Sequence, residues 1–213
     1  MKNNRVLSAE ELMQFGAELD ALKARIQADL GEKDAQYIEN IYKAVRYTEV
    51  AGRGLLFAGI FPPAWIAGTA LLGVSKILEN MELGHNVMHG QYDWMRDSRF
   101  NGKSYEWDIV GTSDNWRKTH NFKHHTYTNI KGMDDDVGYG LLRLFPEQKW
   151  RPFYLGQPVY AVIFSLLFQW GVAIQDLELG KVFSGKKSKE QFQKEWHPIA
   201  AKIKMILIGS RVV

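Results

Sequence analysis

The chain contains no cysteine, which excludes disulfides, zinc ribbons and thiol catalysis and leaves the redox compartment undetermined. Neither charge sign dominates. Lys and Arg number 27 against 24 Asp and Glu, the two signs alternate along the chain, and no basic stripe forms, so nucleic acid is not an expected partner. Met1 to Ser8 lack the apolar stretch of a signal peptide, so any membrane attachment comes from internal segments. There is no GxGxxG, no phosphate-cradling loop and no HExxH, which argues against dinucleotide and nucleotide sites and against a zinc peptidase with a glutamate base. Repeats of 20–50 residues and low-complexity tracts are also missing. What remains is 46% hydrophobic and 13% aromatic over 213 residues, enough for a core in one domain or in a piece of a larger membrane enzyme.

Helical periodicity opens the chain. Ser8 stands three residues before Glu11, as in a capping box, and Gly31 ends the run. Between them Leu12, Phe15, Leu19, Leu22, Ile26 and Leu30 recur in steps of three and four, one narrow apolar stripe that predicts a packing helix, with a membrane-surface or partner helix as the alternative. A second amphipathic helix is expected from about Asp34 through Ile38, Ile41, Val45 and Val50.

From Gly54 to Val74 no residue is charged, and a bilayer crossing needs roughly 20 apolar residues. Pro62-Pro63 interrupts this stretch. The pair removes two donors and restricts Phe61, so a helix–break–helix is expected, its second limb running through Ile77 and Met81 to about His89. A later apolar run, 159–174, is shorter and carries Ser165 and Gln169, which suits an interfacial, re-entrant or core helix. Lys and Arg are plentiful before Gly54, between Lys76 and Arg151, and from Lys181 to Lys204. If all three regions are cytoplasmic, each apolar stretch leaves and returns on one side. Tyr47, Trp65, Trp150, Tyr154 and Trp170 flank these stretches, as interfacial aromatics do.

Five of the six histidines fall into two clusters. His85 and His89 form HxxxH; His120, His124 and His125 form HxxxHH. Residues four apart share a helix face, so each pair can address one metal, while His125 is turned about 100° away toward a second quadrant. Imidazole suits iron, zinc, copper and nickel alike. Metal-bound imidazoles usually donate their other nitrogen to a carboxylate or carbonyl, and Glu79, Glu82, Asp108, Asp114, Asp134, Asp135 and Asp136 are near in sequence. Arg117, Lys118 and Lys123 read as a solvated face, with CoA phosphates or an acidic electron donor as the alternative.

With ENMELGHNVMHGQYDWM and DNWRKTHNFKHHTYTN, the chain resembles the membrane fatty-acid desaturases, closest to the bacterial acyl-CoA or acyl-lipid type, from about Tyr37 to Glu178. His85 and His89 correspond to the family's first box, and His120, His124 and His125 to its second. The resemblance implies an all-α, membrane-associated fold with a Pro-broken transmembrane hairpin and a cytoplasmic helical cap carrying the boxes. It implies two histidine-held irons, O2 as co-substrate and an acyl-CoA or acyl-lipid substrate. It also implies a separate ferredoxin or cytochrome b5-type donor and a multi-pass location in the cytoplasmic membrane. The family's third box, HxxHH or QxxHH, is absent; His197, in Trp196-His197-Pro198, reads as a surface histidine.

The expected organisation is a single partial desaturase domain, C-terminally truncated. It comprises an amphipathic helix (1–33), membrane helices ending in the first box (34–90), a cytoplasmic region with the second box (91–155), and an apolar helix with the start of a further part (156–213), where Ile203–Val213 begins another helix. Five box ligands fall short of two full iron sites, so catalysis by this chain alone is not expected. Two alternatives stand beside this reading: a sibling alkyl hydroxylase or ketolase on the same metal site, and a non-catalytic membrane metal-binding or interaction protein.

Overall fold

In the computed structural model, residues 7–134 and 136–208 are described. Among them every regular element is helical. The first, α1 (Ala9–Asp29), starts at Ser8, whose hydroxyl and the Glu11 carboxylate exchange hydrogen bonds with each other's backbone N–H groups. The capping box is therefore present as expected. No residue of α1 is buried, however, and its stripe stays in the open. The expectation of a packing helix is not met, because no other described element covers that face.

Helix α2 (Glu32–Phe57) and helix α3 (Pro62–Ile77) form a hairpin. The break falls at the proline pair, which occupies the first turn of α3, where the missing N–H groups have no partner to lose. Pairings along the hairpin fix its antiparallel register. The buried Ser75 hydroxyl donates to Val45 O at 2.9 Å. Farther toward the turn, Gly52 and Gly68 let the backbones touch. A Cβ on Gly68 would lie 2.9 Å from Gly52 O, and one on Gly52 would lie 3.0 Å from Gly68 O.

The second limb continues through a π-helical stretch, Leu78–Gly84, into α4 (His85–Met88), close to the expected end at His89. Ile38 of α2 packs there with Leu83, Val87, Tyr92 and Phe100. After a loop come α5 (Ser113–Trp116), a π-helical stretch Arg117–His124, and α6 (His125–Tyr127). A second cluster, Met88, Trp107, Ile109 and Trp116, packs this unit onto the first.

The run at 159–174 is not one helix. It divides into α7 (Gln157–Leu166) and α8 (Phe168–Asp176) at Leu167, whose φ −108°, ψ 19° leaves the helical region. No proline marks the bend. The Phe164 ring folds back onto α8 where Gly171 offers no Cβ; a Cβ there would sit 2.5 Å from the ring.

Beyond α9 (Leu179–Phe183), helix α10 (Lys189–Ile208) returns to the centre, with Ile199 packed on Val110, Ala173 and Leu177. It covers the described start of the expected segment at Ile203–Val213; residues 209–213 lie outside the described part. No single helix among the described residues is long and apolar enough to cross a membrane. One pair, Pro152–Leu166 and Phe168–Phe183, bent by 92°, has the length and composition of a broken span or re-entrant loop.

Candidate metal centre

Both histidine boxes sit where a π-helical turn gives way to an α-helical one. His85 N–H bonds Asn80 O, and His125 N–H bonds His120 O, each five residues back. Widened turns of this kind occur preferentially at functional sites. Polar side chains take up carbonyls along them: Asn80 Nδ2 donates to Lys76 O, Asn86 Nδ2 to Glu82 O, and Thr119 Oγ1 to Asn115 O. The Asn residues interleaved with the histidines thus help hold the local helix.

The second box is anchored from three sides. Arg117 donates through Nε to Gly102 O and through Nη2 to Tyr105 O, so it is a structural clamp and not a solvated or ligand-binding cation. Glu106 accepts from the backbone and hydroxyl of Ser113 at the start of α5. Lys202 of α10, buried, donates to that carboxylate and to Trp107 O and Gly111 O. Asn121 Nδ2 then reaches Met88 O at 2.8 Å, tying the second box to the end of the first.

The result is convergence of all five expected histidines. His85 and His89 bring their Nε2 atoms to 3.1 Å. Ring centroids lie 5.3 Å apart for His85–His120, 4.8 Å for His89–His125 and 5.0 Å for His120–His125. His124 stacks on His120 at 4.9 Å and 22°. The Trp116 indole stacks on His120 at 4.4 Å and meets the edges of His85 and His89, closing one side with an apolar plane.

These donors fit a metal. Ligand atoms of His85, His89 and His120 lie within 4.8 Å of one another, as do those of His120, His124 and Asp136. Two nitrogens at right angles on an ion, each ~2.1 Å away, sit about 3.0 Å apart, close to the His85–His89 separation. The electrostatics agree, because ligation needs neutral imidazoles. Burial, then the neighbouring His120 and His125, push the His85 pKa down. Burial and the other four imidazoles push His89 down to about 4. Burial, with His120 and His124, also lowers His125.

Of the seven nearby carboxylates, four are engaged elsewhere. Glu79 pairs with Arg46 and Lys76, Glu82 accepts from Tyr37, Asp108 from Lys76, and Asp114 from Arg117. Asp135 lies outside the described residues. Asp136 and Asp134 meet imidazoles: His120 Nδ1 to Asp136 at 2.7 Å, His124 Nδ1 to Asp134 at 3.0 Å. His197 is exposed on α10, away from the cluster, as expected. Trp116 and Asn121 were not singled out from the sequence. Trp116 stands four residues before His120, and that spacing is the signal for a shared face.

A cavity of about 1310 Å³ opens beside the cluster. His85 and His120 contribute to its wall together with Ile77, Met81, Phe168 and Val172 on an apolar side and Lys118, Lys123, Asp176 and Glu178 on a charged one.

Comparison with known proteins gives a consistent picture. A sequence model of the family described as "Fatty acid desaturase" matches residues 61–209. An "NADPH-dependent stearoyl-CoA 9-desaturase" of Mycobacterium tuberculosis is 46% identical over 196 residues, covering 92% of this chain and 46% of the relative. An "sn-1 linoleoyl-lipid 6-desaturase" of Synechocystis is 36% identical over 109 residues, covering 50% of this chain and 30% of the relative. The chain thus spans about half the length or less of the curated relatives it matches. No solved structure matches it.

Proposed function

The chain belongs to the fatty acid desaturase family, and from that premise we propose that it serves the O2-dependent desaturation of a long acyl chain. His85, His89, His120, His124 and His125 would hold iron for this reaction. The observation that carries the proposal is the convergence of five imidazoles, two of which, His85 and His120, line a large cavity. Bound iron would supply the oxidising power needed to take hydrogen from an unactivated methylene, which side-chain acids and bases cannot.

The chain's own residues do the rest. Neutral imidazoles present lone pairs, Trp116 excludes water from one side, and the apolar wall aligns the acyl chain beside His85 and His120. The balance is fixed by the products. Two hydrogens leave adjacent methylenes, and two further electrons and two protons arrive, so O2 ends as two waters. A ferredoxin or cytochrome b5-type protein is the proposed donor, drawing on NADPH as the name of the mycobacterial relative suggests. An acyl-CoA is the proposed substrate, on the same analogy, with an acyl-lipid as the other class among the relatives.

We also propose membrane attachment, with the boxes on the cytoplasmic side. The hairpin turn exposes Phe57 (95%) and Ile60 (89%), and α7 exposes Leu166 (79%). Apolar surface of this extent suits a lipid environment better than water. The bent α7–α8 pair would enter and return on one side.

Because five box ligands fall short of two full iron sites, the test is product analysis in lipid vesicles of this chain joined to the part of the mycobacterial relative that it does not cover, supplied with iron, donor, NADPH and stearoyl-CoA. A monounsaturated product, lost at least 100-fold in His89→Ala and in His124→Ala, is expected. A product that retains oxygen would move the assignment to hydroxylation, and unaltered turnover in both variants would remove the histidines from the reaction.

A further inference from the structure

We infer that Asp136 and Asp134 are positioning residues of the metal centre, acting through the second histidine box; this rests on the metal-binding reading above. The two carboxylates address the same atom of two stacked rings. Asp136 Oδ2 lies 2.7 Å from His120 Nδ1, and both Asp134 oxygens lie 3.0 Å from His124 Nδ1. A carboxylate only accepts, so Nδ1–H donates in each ring and Nε2 keeps its lone pair for an ion. The two rings are stacked 22° from parallel, and each is fixed at Nδ1 by its own carboxylate.

Asp134 also builds the loop that brings Asp136 into place. Its side chain is fully shielded from solvent, and it accepts the backbone N–H of Asn129 at 2.8 Å and of Asp136 at 3.0 Å. The chain reaches it through Asn129 at φ 62°, a left-handed conformation that asparagine tolerates better than most residues. One carboxylate therefore sets His124 and, through the loop, places the second carboxylate on His120.

Partners of this kind hold the ring and raise its basicity, and their loss typically weakens metal affinity about 10–100-fold. Asp136→Asn is the cleaner variant, because the Asp136 side chain bonds His120 whereas that of Asp134 also holds the loop backbone. The measurement is a Co(II) titration of the purified, metal-free protein followed by visible absorption, with thermal melting of the metal-free forms alongside. Expected is 10–100-fold weaker binding in Asp136→Asn and in Asp134→Asn with an altered Co(II) spectrum. The number of ions bound should be unchanged, metal-free Asp136→Asn should melt like wild type, and Asp136→Glu should recover part of the affinity. Wild-type affinity and spectrum in Asp136→Asn would overturn the inference. So would loss of one whole ion, which would make Asp136 a ligand itself. If wild type binds no Co(II), the metal reading falls first and this inference with it.

Discussion

Single residues set the chemistry through what they are denied as much as through what they touch. Glu79 is an example outside the cluster: buried within the first π-helical stretch, it is held by Arg46 and Lys76. Burial nonetheless dominates those two cations and raises its pKa. A raised folded pKa means the folded state holds more protons than the unfolded one above the ordinary carboxylate range, so stability falls as pH rises through that window. Glu79→Gln has no such proton to lose. The melting temperature of Glu79→Gln relative to wild type should therefore climb as pH is raised from about 4.5 through the raised value and then level off. A difference flat with pH would show that the cations compensate fully. The same scale holds the residues that sequence could name. The five histidines were legible because their types and spacing are chemically specific. Which carboxylates serve them was not, since Glu82 and Asp134 look alike in sequence and differ only in whether Tyr37 or His124 faces them.

Elements were legible where a local rule decides them. Ser8 with Glu11, Gly31 and Pro62-Pro63 each act within a turn or two, and the helix ends fall at or next to them. The bend at Leu167 depends instead on the Phe164 ring finding space above Gly171, a contact no breaker residue announces. The π turns were hidden because HxxxH keeps the same spacing in either helix type. The α1 stripe shows the converse: its periodicity predicts the helix correctly and does not say what, if anything, covers it. Close helix contact makes a direct test. At Gly68 a side chain would meet the backbone of α2, so Gly68→Val should destabilise by about 1–3 kcal/mol. Gly73, on the same helix, has nothing within 4 Å of an added Cβ, so Gly73→Ala should gain about 0.5–1 kcal/mol from helix propensity. Chemical denaturation of both variants checks the pair; equal costs would mean the hairpin does not pack at Gly68.

At the scale of the whole molecule, the α2–α3 hairpin carries the first box and α10 braces the second through Lys202 and Glu106. Asn121 joins them across Met88. The apolar tips of the hairpin and of α7 project away from this assembly. Because the chain lacks cysteine, single-cysteine labelling in vesicles reads their surroundings without background. Phe57→Cys and Leu166→Cys should resist a membrane-impermeant maleimide, whereas Lys103→Cys, exposed in the loop after the first box, should react readily in vesicles opened on both sides. Equal labelling at all three positions would argue against lipid contact. Periodicity announced the first two helices and the family resemblance implied the all-helical class, but the meeting of the two boxes depends on the Met88–Asn121 bridge and the tryptophan core, long-range contacts that spacing does not encode.

The central claim is that the five imidazoles form one metal centre. Its most direct test is iron content of the purified protein, wild type against His89→Ala and His124→Ala, each from a different box. The account predicts bound iron in the wild type and a loss of at least half in either variant, with unchanged helical content. Wild-type iron in both variants would contradict it.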